Sequence, residues 1–319
     1  MRVSVVLCTY SPSMYDEFVE AAESLFDQTH PDVEVVIVVD GTPEVFERAA
    51  EDFGERDDVI LHLNDQNRGL LESRNRGAEL ATGDVVAFID DDAIAAPDWI
   101  EALVSVYESR EVVAVGGKMV PKWVAGRPAF LPSEFYWLVG VTHEGFADAP
   151  GEVRNTFGSN ISFRRDVFRD LGGFDTDIGG RQGTKNLQGG ETELCARMAV
   201  EYGSGVWYTP EAEVAHKVFE YRTSPRWLLD RAFWQGYSKR VMEGMLPGES
   251  DDGVEAGFLG YLLWRAVPTR LRGLVQTPST SAVLQLAMIG VFTAAVGSGY
   301  LYAVLRSSIT SKPVDPRST

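Results

Sequence analysis

The sequence of 319 residues predicts an α/β protein with a mostly parallel sheet and helices on both faces. Strand-like and helix-like segments alternate through its first half. The run Val85-Val86-Ala87-Phe88-Ile89 shows no polar alternation, the pattern of a central strand buried on both sides. That run ends directly in Asp90-Asp91-Asp92, at the carboxyl end of a strand, where ligands collect in open α/β sheets. Like charges this close repel. A hard cation with oxygen ligands, bound to the phosphates of a nucleotide, would neutralise them.

The elements follow in order: strand Val3–Cys8, helix Tyr15–Phe26, strand Val33–Val39, helix Glu44–Phe53, strand Val59–Leu63, helix Leu70–Leu80, strand Val85–Ile89 and helix Trp99–Tyr107. A strand is expected over Val112–Gly117. The rhythm then breaks at a Trp-, Phe- and Pro-rich stretch, Trp123 to Trp137, which reads as an insertion or loop. Regularity returns near Gly158, and a strand over Gly205–Tyr208 closes the globular part around His216.

Forty-seven acidic against 29 basic residues give a net charge of −18, and only 6 of the basic residues are Lys. Acid excess with few lysines fits a protein adapted to high salt, where screening removes self-repulsion. No basic stripe is present to neutralise phosphates, which argues against a nucleic-acid partner. Cys8 falls in a strand and Cys195 in a helix, without a CxxC pattern, so both are expected as buried thiols in a reducing compartment. The amino terminus opens on a strand without a signal peptide, which places the expected catalytic part in the cytoplasm.

Ala282 to Leu305 carries no charge over 24 residues. As a helix it would measure about 36 Å, enough to cross a hydrocarbon core of about 30 Å. Gln285, Thr293, Ser298 and three glycines dilute it, and a hairpin on the membrane surface is the competing arrangement. Before it, Phe258–Val275 mixes Trp264, Tyr261 and leucines with Arg265, Arg270 and Arg272, the composition of an interfacial helix. The expected organisation is a catalytic domain over 1–225, an amphipathic helical region over 226–278, a transmembrane or membrane-embedded segment over 279–306 and a polar tail over 307–319.

From Val3 to about Lys217 the pieces resemble a family 2 glycosyltransferase of the GT-A fold, a Rossmann-like α/β architecture. The residues that carry the resemblance are Val3–Tyr10, Val38-Val39-Asp40-Gly41-Thr42, Asn67-Arg68-Gly69 with Arg74-Asn75-Arg76-Gly77, the triplet Asp90-Asp91-Asp92, and the long segment Phe157-Gly158-Ser159-Asn160 through Gly172-Gly173-Phe174-Asp175. The resemblance implies donor contacts from Thr9, Tyr10, Asp40, Gly69, Arg74, Asn75, Asp90 and Asp91. It implies a Mg2+ or Mn2+ ion held by Asp92, with Asp90 toward the nucleotide and His216 as a third metal-facing residue. Gly158, Ser159 and Asn160 would lie on the acceptor side, as would the Trp123–Trp137 insertion, and Gly172 and Gly173 would shape a turn.

The family's catalytic base comes from an acidic pair opening a helix, here Gly189-Gly190-Glu191-Thr192-Glu193-Leu194. The segment departs from the pattern by one carboxylate, because Gly190 stands where an acid usually precedes the base. Glu191 is preferred and Glu193 is the alternative. The implied reaction is a direct displacement that inverts the anomeric centre. The acidic whole chain resembles the haloarchaeal glucuronosyltransferases that extend dolichyl-phosphate-linked sugar in cell-surface (S-layer) protein N-glycosylation. That implies a UDP-linked donor, a lipid-linked sugar acceptor and the cell membrane as location. Arg181 and Lys185 would face a donor carboxylate. The rival readings are a polyprenyl-phosphate monosaccharide synthase, whose phosphate nucleophile needs no base, and a nucleotide-sugar-binding scaffold without turnover. A nucleotidyltransferase would need a phosphate loop that Thr9-Tyr10-Ser11-Pro12 does not supply.

Overall fold

The computed structural model describes residues 1–147, 149–178, 180–182, 185–245 and 252–310. They form two compact units. The first comprises residues 1–126, 140–180 and 189–219, and the second 127–139, 181–188 and 220 onward.

The first unit begins with β1 (Val3–Thr9), α1 (Tyr15–Phe26), β2 (Val33–Val39), α2 (Pro43–Phe53), β3 (Val59–Leu63), α3 (Leu70–Leu80) and β4 (Val85–Asp90). These strands pair in parallel in the order β3-β2-β1-β4, as the alternation requires. Val6, Cys8, Val36, Val38, Val86 and Phe88 share one core cluster with residues from α3, while the intervening Val5, Leu7, Val35 and Ile37 are equally buried. Both faces of the sheet are therefore covered.

Beyond β4 the sheet becomes mixed. After β5 (Ala93–Ala95), α4 (Trp99–Ser109), β6 (Ala114–Trp123) and β7 (Gly151–Val153), β8 (Ile161–Arg164) inserts antiparallel between β4 and β6. α5 (Arg165–Asp170) follows. A ribbon of β9 (Gly180–Gln182) and β10 (Lys185–Leu187) precedes α6 (Gly190–Tyr202), and β11 (Val206–Val218) lies between β6 and β5.

Two strands exceed the sequence expectation. β6 continues through Trp123, so the expected insertion starts only after it, and its Trp137 end is a 3-10 turn over Ser133–Val139. β11 is 13 residues long rather than stopping at Tyr208. Its pairing with β6 shifts register between Thr209 and Glu213, and Pro210 sits within that bulge, where a missing N–H does no harm.

In the second unit, α7 (Pro225–Met245) is followed by α8 (Asp252–Tyr261), a π-helical turn (Leu262–Ala266), α9 (Val267–Gln276) and α10 (Thr280–Thr310). Within α10, Thr280–Arg306 is a helix long and apolar enough to cross a membrane. Arg270 of α9 clasps the buried Glu134 with two hydrogen bonds of 2.7 and 2.6 Å and also donates to Gln285 of α10. The side chains of Arg181 and Lys185 and most of the expected polar tail, residues 311–319, lie outside the described residues.

Candidate active site

The carboxyl ends of β1, β2 and β4 meet at one edge because Thr9 registers with Val39 and Cys8 with Asp90. Tyr10, just beyond β1, is exposed, while Thr9 is buried beside Asp91.

Asp40 follows β2 and is only 5% exposed. One oxygen accepts from the Asn64 amide at 2.8 Å and the Arg68 backbone N–H at 2.9 Å, and the other from the Gly69 N–H at 2.8 Å. The carboxylate thus fastens the segment leading into α3, whose N-cap is Gly69. Asn64 also donates to Ser73 on α3 at 3.0 Å. Sequence reading passed over Asn64, although its position directly after β3 repeats that of Asp40 after β2.

α3 turns Arg74 and Asn75 to different tasks. The buried Arg74 guanidinium meets Asp90 at 2.5 Å and lies near the faces of Phe88 and Phe174, 5.9 and 5.7 Å from their centroids. Burial opposes its charge, but Asp90 and, more weakly, Glu191 outweigh that, so Arg74 stays protonated. Asn75 instead exchanges two 2.8 Å hydrogen bonds with the backbone of Phe174, which docks the Gly172-Gly173 turn on α3.

The expected acceptor-side trio stands behind these residues. A side chain on Gly158 would come within 2.7 Å of the Arg74 guanidinium. Ser159 accepts from the Asp90 backbone N–H at 3.0 Å. Asn160 is fully buried, accepting from Trp99 and donating to the carbonyls of Lys118 and Ala212. It braces the sheet and has no surface to offer an acceptor.

Asp92 and His216 are both buried, with Nε2 and a carboxylate oxygen 3.3 Å apart. Lys217 N–H donates to the Asp92 carbonyl at 2.9 Å, which ties β11 to the acidic turn, and its ammonium pairs with Glu17 and Glu20 of α1. Asp91 is pushed up to about 7, mainly by burial and with help from Asp92 and Asp90, although Thr9 works in the other direction. Negative charge is in excess here. Among the described residues no three His, Cys, Asp or Glu side chains form a ready cage for an ion. A close oxygen–imidazole pair beside surplus carboxylates nonetheless fits a divalent cation that takes its remaining ligands from a substrate's phosphates and water.

At the start of α6 the two acids separate in role. Glu193 is buried and paired with Arg197 at 2.5 and 2.8 Å, and Arg197 in turn donates to the carbonyls of Leu171 and Gly173. Glu191 has no hydrogen-bond or ion-pair partner among the described residues and is partly exposed in the first helical turn. Gly190, where an acid is expected, is buried, and a Cβ there would lie 2.5 Å from a Leu71 methyl, so a side chain at this position requires Leu71 of α3 to shift.

A model of glycosyl transferase family 2 matches residues 4–172. The glucosyl-dolichyl phosphate glucuronosyltransferase of Haloferax volcanii is 54% identical over 313 residues, covering 98% of this chain and 99% of that protein. The chain belongs to glycosyl transferase family 2. The succinoglycan biosynthesis protein ExoM of Rhizobium meliloti is 29% identical over 74% of this chain and 73% of its own. Among solved structures, the mannosyltransferase PcManGT of Pyrobaculum calidifontis, in complex with GDP-Man and Mn2+, aligns with a TM-score of 0.57 at 19% identity, over 98% of this chain and 88% of that one. Staphylococcus aureus TarS 1–349 with UDP-GlcNAc aligns at 0.56 and 16% identity, over 93% and 82% of the two chains. The fold is GT-A, as the motifs imply, and the family 2 glycosyltransferase is an enzyme of sugar transfer.

Proposed function

We propose that this glycosyltransferase moves glucuronic acid from UDP-glucuronate onto glucosyl-dolichyl phosphate, with inversion at the anomeric carbon, as a step of cell-surface protein N-glycosylation. The observation that carries the substrate reading is the 54% identity over nearly both full lengths with the Haloferax enzyme of that name. The reaction centre is the strand-end edge, with Glu191 as base.

The Glu191 carboxylate sits in the first turn of α6, at the positive end of the helix. It takes the proton of the acceptor hydroxyl as that oxygen bonds to the sugar's anomeric carbon, and the electron pair of the breaking carbon–oxygen bond leaves with UDP. Arg74, fixed by Asp90, supplies positive charge on the donor side. Thr9 and Tyr10 border the nucleoside end. Asp40, Gly69, Asn75, Ser159 and Asn160 act by positioning: each holds a segment that bears one of these groups. A Mg2+ or Mn2+ ion bound by Asp92 and His216, with Asp90 and Asp91 nearby, would supply charge to stabilise the departing diphosphate. The apolar Thr280–Arg306 helix suits work on a lipid-linked acceptor at the cell membrane, with the catalytic unit in the cytoplasm.

The test is to incubate the protein in high salt with Mn2+, a panel of UDP-sugars and dolichyl-phosphate-glucose, following UDP release and lipid mass. Addition of one hexuronic acid, lost in Glu191→Gln, supports the reading. Transfer onto dolichyl-phosphate-glucose that survives Glu191→Gln moves the base elsewhere, transfer onto dolichyl phosphate supplied in its place makes a lipid phosphate the acceptor, and transfer from no donor revives the scaffold reading.

A further inference from the structure

We propose that α10 lies along the surface of an anionic lipid membrane rather than across it. This rests on the membrane reading above and specifies its geometry. Thr280–Arg306 is 27 residues, about 40 Å as a helix, so length and composition permit spanning. What it packs against does not.

α7 and α10 approach to backbone contact through reciprocal glycines. A Cβ on Gly236 would fall 1.9 Å from the Val296 carbonyl oxygen, and one on Gly299 would fall 1.8 Å from that of Phe233. Ring contacts of Phe233 and Tyr237 with Tyr302, and the 2.8 Å hydrogen bond from Tyr300 to Glu243, extend the seam. Phe233, Gly236, Tyr237 and Glu243 all meet α10 within Val296–Tyr302, where the two helices cross. Lys239 and Arg240 lie between Tyr237 and Glu243 on α7, and Arg240 pairs with Glu243 at 3.8 Å. If α10 crossed a bilayer, the crossing at Val296–Tyr302 would fall between the middle and one end of the span and draw these charges into the hydrocarbon, at about 3 kcal/mol for a charge without a partner and less for the Arg240–Glu243 pair. An in-plane α10 leaves them in the polar zone.

The remaining surface fits that placement. Leu263, Trp264, Val275, Leu284, Leu301 and Leu305 are between 50 and 84% exposed. From residue 256 to 314 the sequence contains Arg265, Arg270, Arg272, Arg306 and Lys312 and no acid, in a chain of net charge −18. Arg265 and Arg272 are exposed beside those apolar side chains. Apolar residues interleaved with arginines, and acids excluded, complement an anionic lipid face.

The experiment uses the full chain in inverted membrane vesicles, with single cysteines introduced as Ser279→Cys or Ser307→Cys. Both native cysteines are buried. A membrane-impermeant maleimide should label the two ends to the same near-complete extent before detergent is added. Protection of either end overturns the inference and leaves membrane attachment standing. Recovery of the protein in the soluble fraction overturns attachment itself, and the inference with it. As a second reading, Trp264→Glu with Val275→Glu should shift the chain to the soluble fraction by several-fold; full retention would indicate that a spanning α10 is the anchor.

Discussion

Arg197 grips Glu193 with two hydrogen bonds, 2.5 and 2.8 Å long, one turn along the same helix, and anchors itself on the carbonyls of Leu171 and Gly173. Glu193 is therefore committed to holding α6 against the Gly-Gly turn. Glu193→Gln should cost about 1–3 kcal/mol of stability, read as a lower Tm. Glu191→Gln should leave Tm in place and lower kcat by about 10²–10⁴-fold. The reverse pattern would exchange the two roles.

Gly190 and Leu71 define a contact that can be relieved. Gly190→Ala should destabilise by about 1–3 kcal/mol through overpacking. Adding Leu71→Ala opens the space, so the double variant should lose less than the sum of the two single changes. Strict additivity in denaturant titrations would show that this contact does not decide why position 190 lacks an acid.

Asn75 joins residues 99 positions apart, and Asn75→Ala leaves the Phe174 N–H and carbonyl without those bonds. A loss of about 2 kcal/mol is expected. Asn75→Asp keeps the acceptor for the N–H and should fall between the two. Equal stability of all three proteins would remove the turn-docking role.

Glu34 sets an acid-sensitive element far from the reaction centre. Burial raises its pKa, but hydrogen bonds from Ser4 and Thr82 and the charge of Arg2 prevail and hold it below its ordinary 4.5. A depressed carboxylate gives stability that is complete above the unfolded value and is lost as pH falls from 4.5 through the folded value. The stability gap between wild type and Glu34→Gln should thus be constant near neutrality and close progressively below 4.5 in pH-dependent melting.

Asp92 and His216 should make ion binding visible without turnover. In the presence of UDP, Mn2+ is expected to raise Tm, by about 2.7 kcal/mol in stability at 100 times its Kd. Asp92→Asn should abolish the rise and His216→Ala should move it to higher Mn2+. A rise unchanged in both variants would place the ion elsewhere.

The parallel half of the sheet was readable because its strands are unbroken apolar runs between helical repeats. The antiparallel β8 was not, since the strand period is the same for either direction. β11 looked finished at Tyr208 because Pro210 and Glu211 interrupt the pattern, and only pairing with β6 shows that the strand resumes past a bulge to deliver His216. Strand-end Asp, His and helix-start Glu residues stood out locally. Whether each faces a substrate or serves the scaffold depended on distant neighbours: Phe174 for Asn75, Trp99 and Ala212 for Asn160, Arg197 for Glu193.

Because the Asp40 carboxylate already binds the N–H groups of Arg68 and Gly69, the segment entering α3 is shaped during folding, before any nucleotide arrives. Ligand association then carries less of the entropy of ordering that segment. A change at Asp40 would accordingly surface as weak donor affinity, a rise in KM with slower association, even in an enzyme whose carboxylate never touches the base.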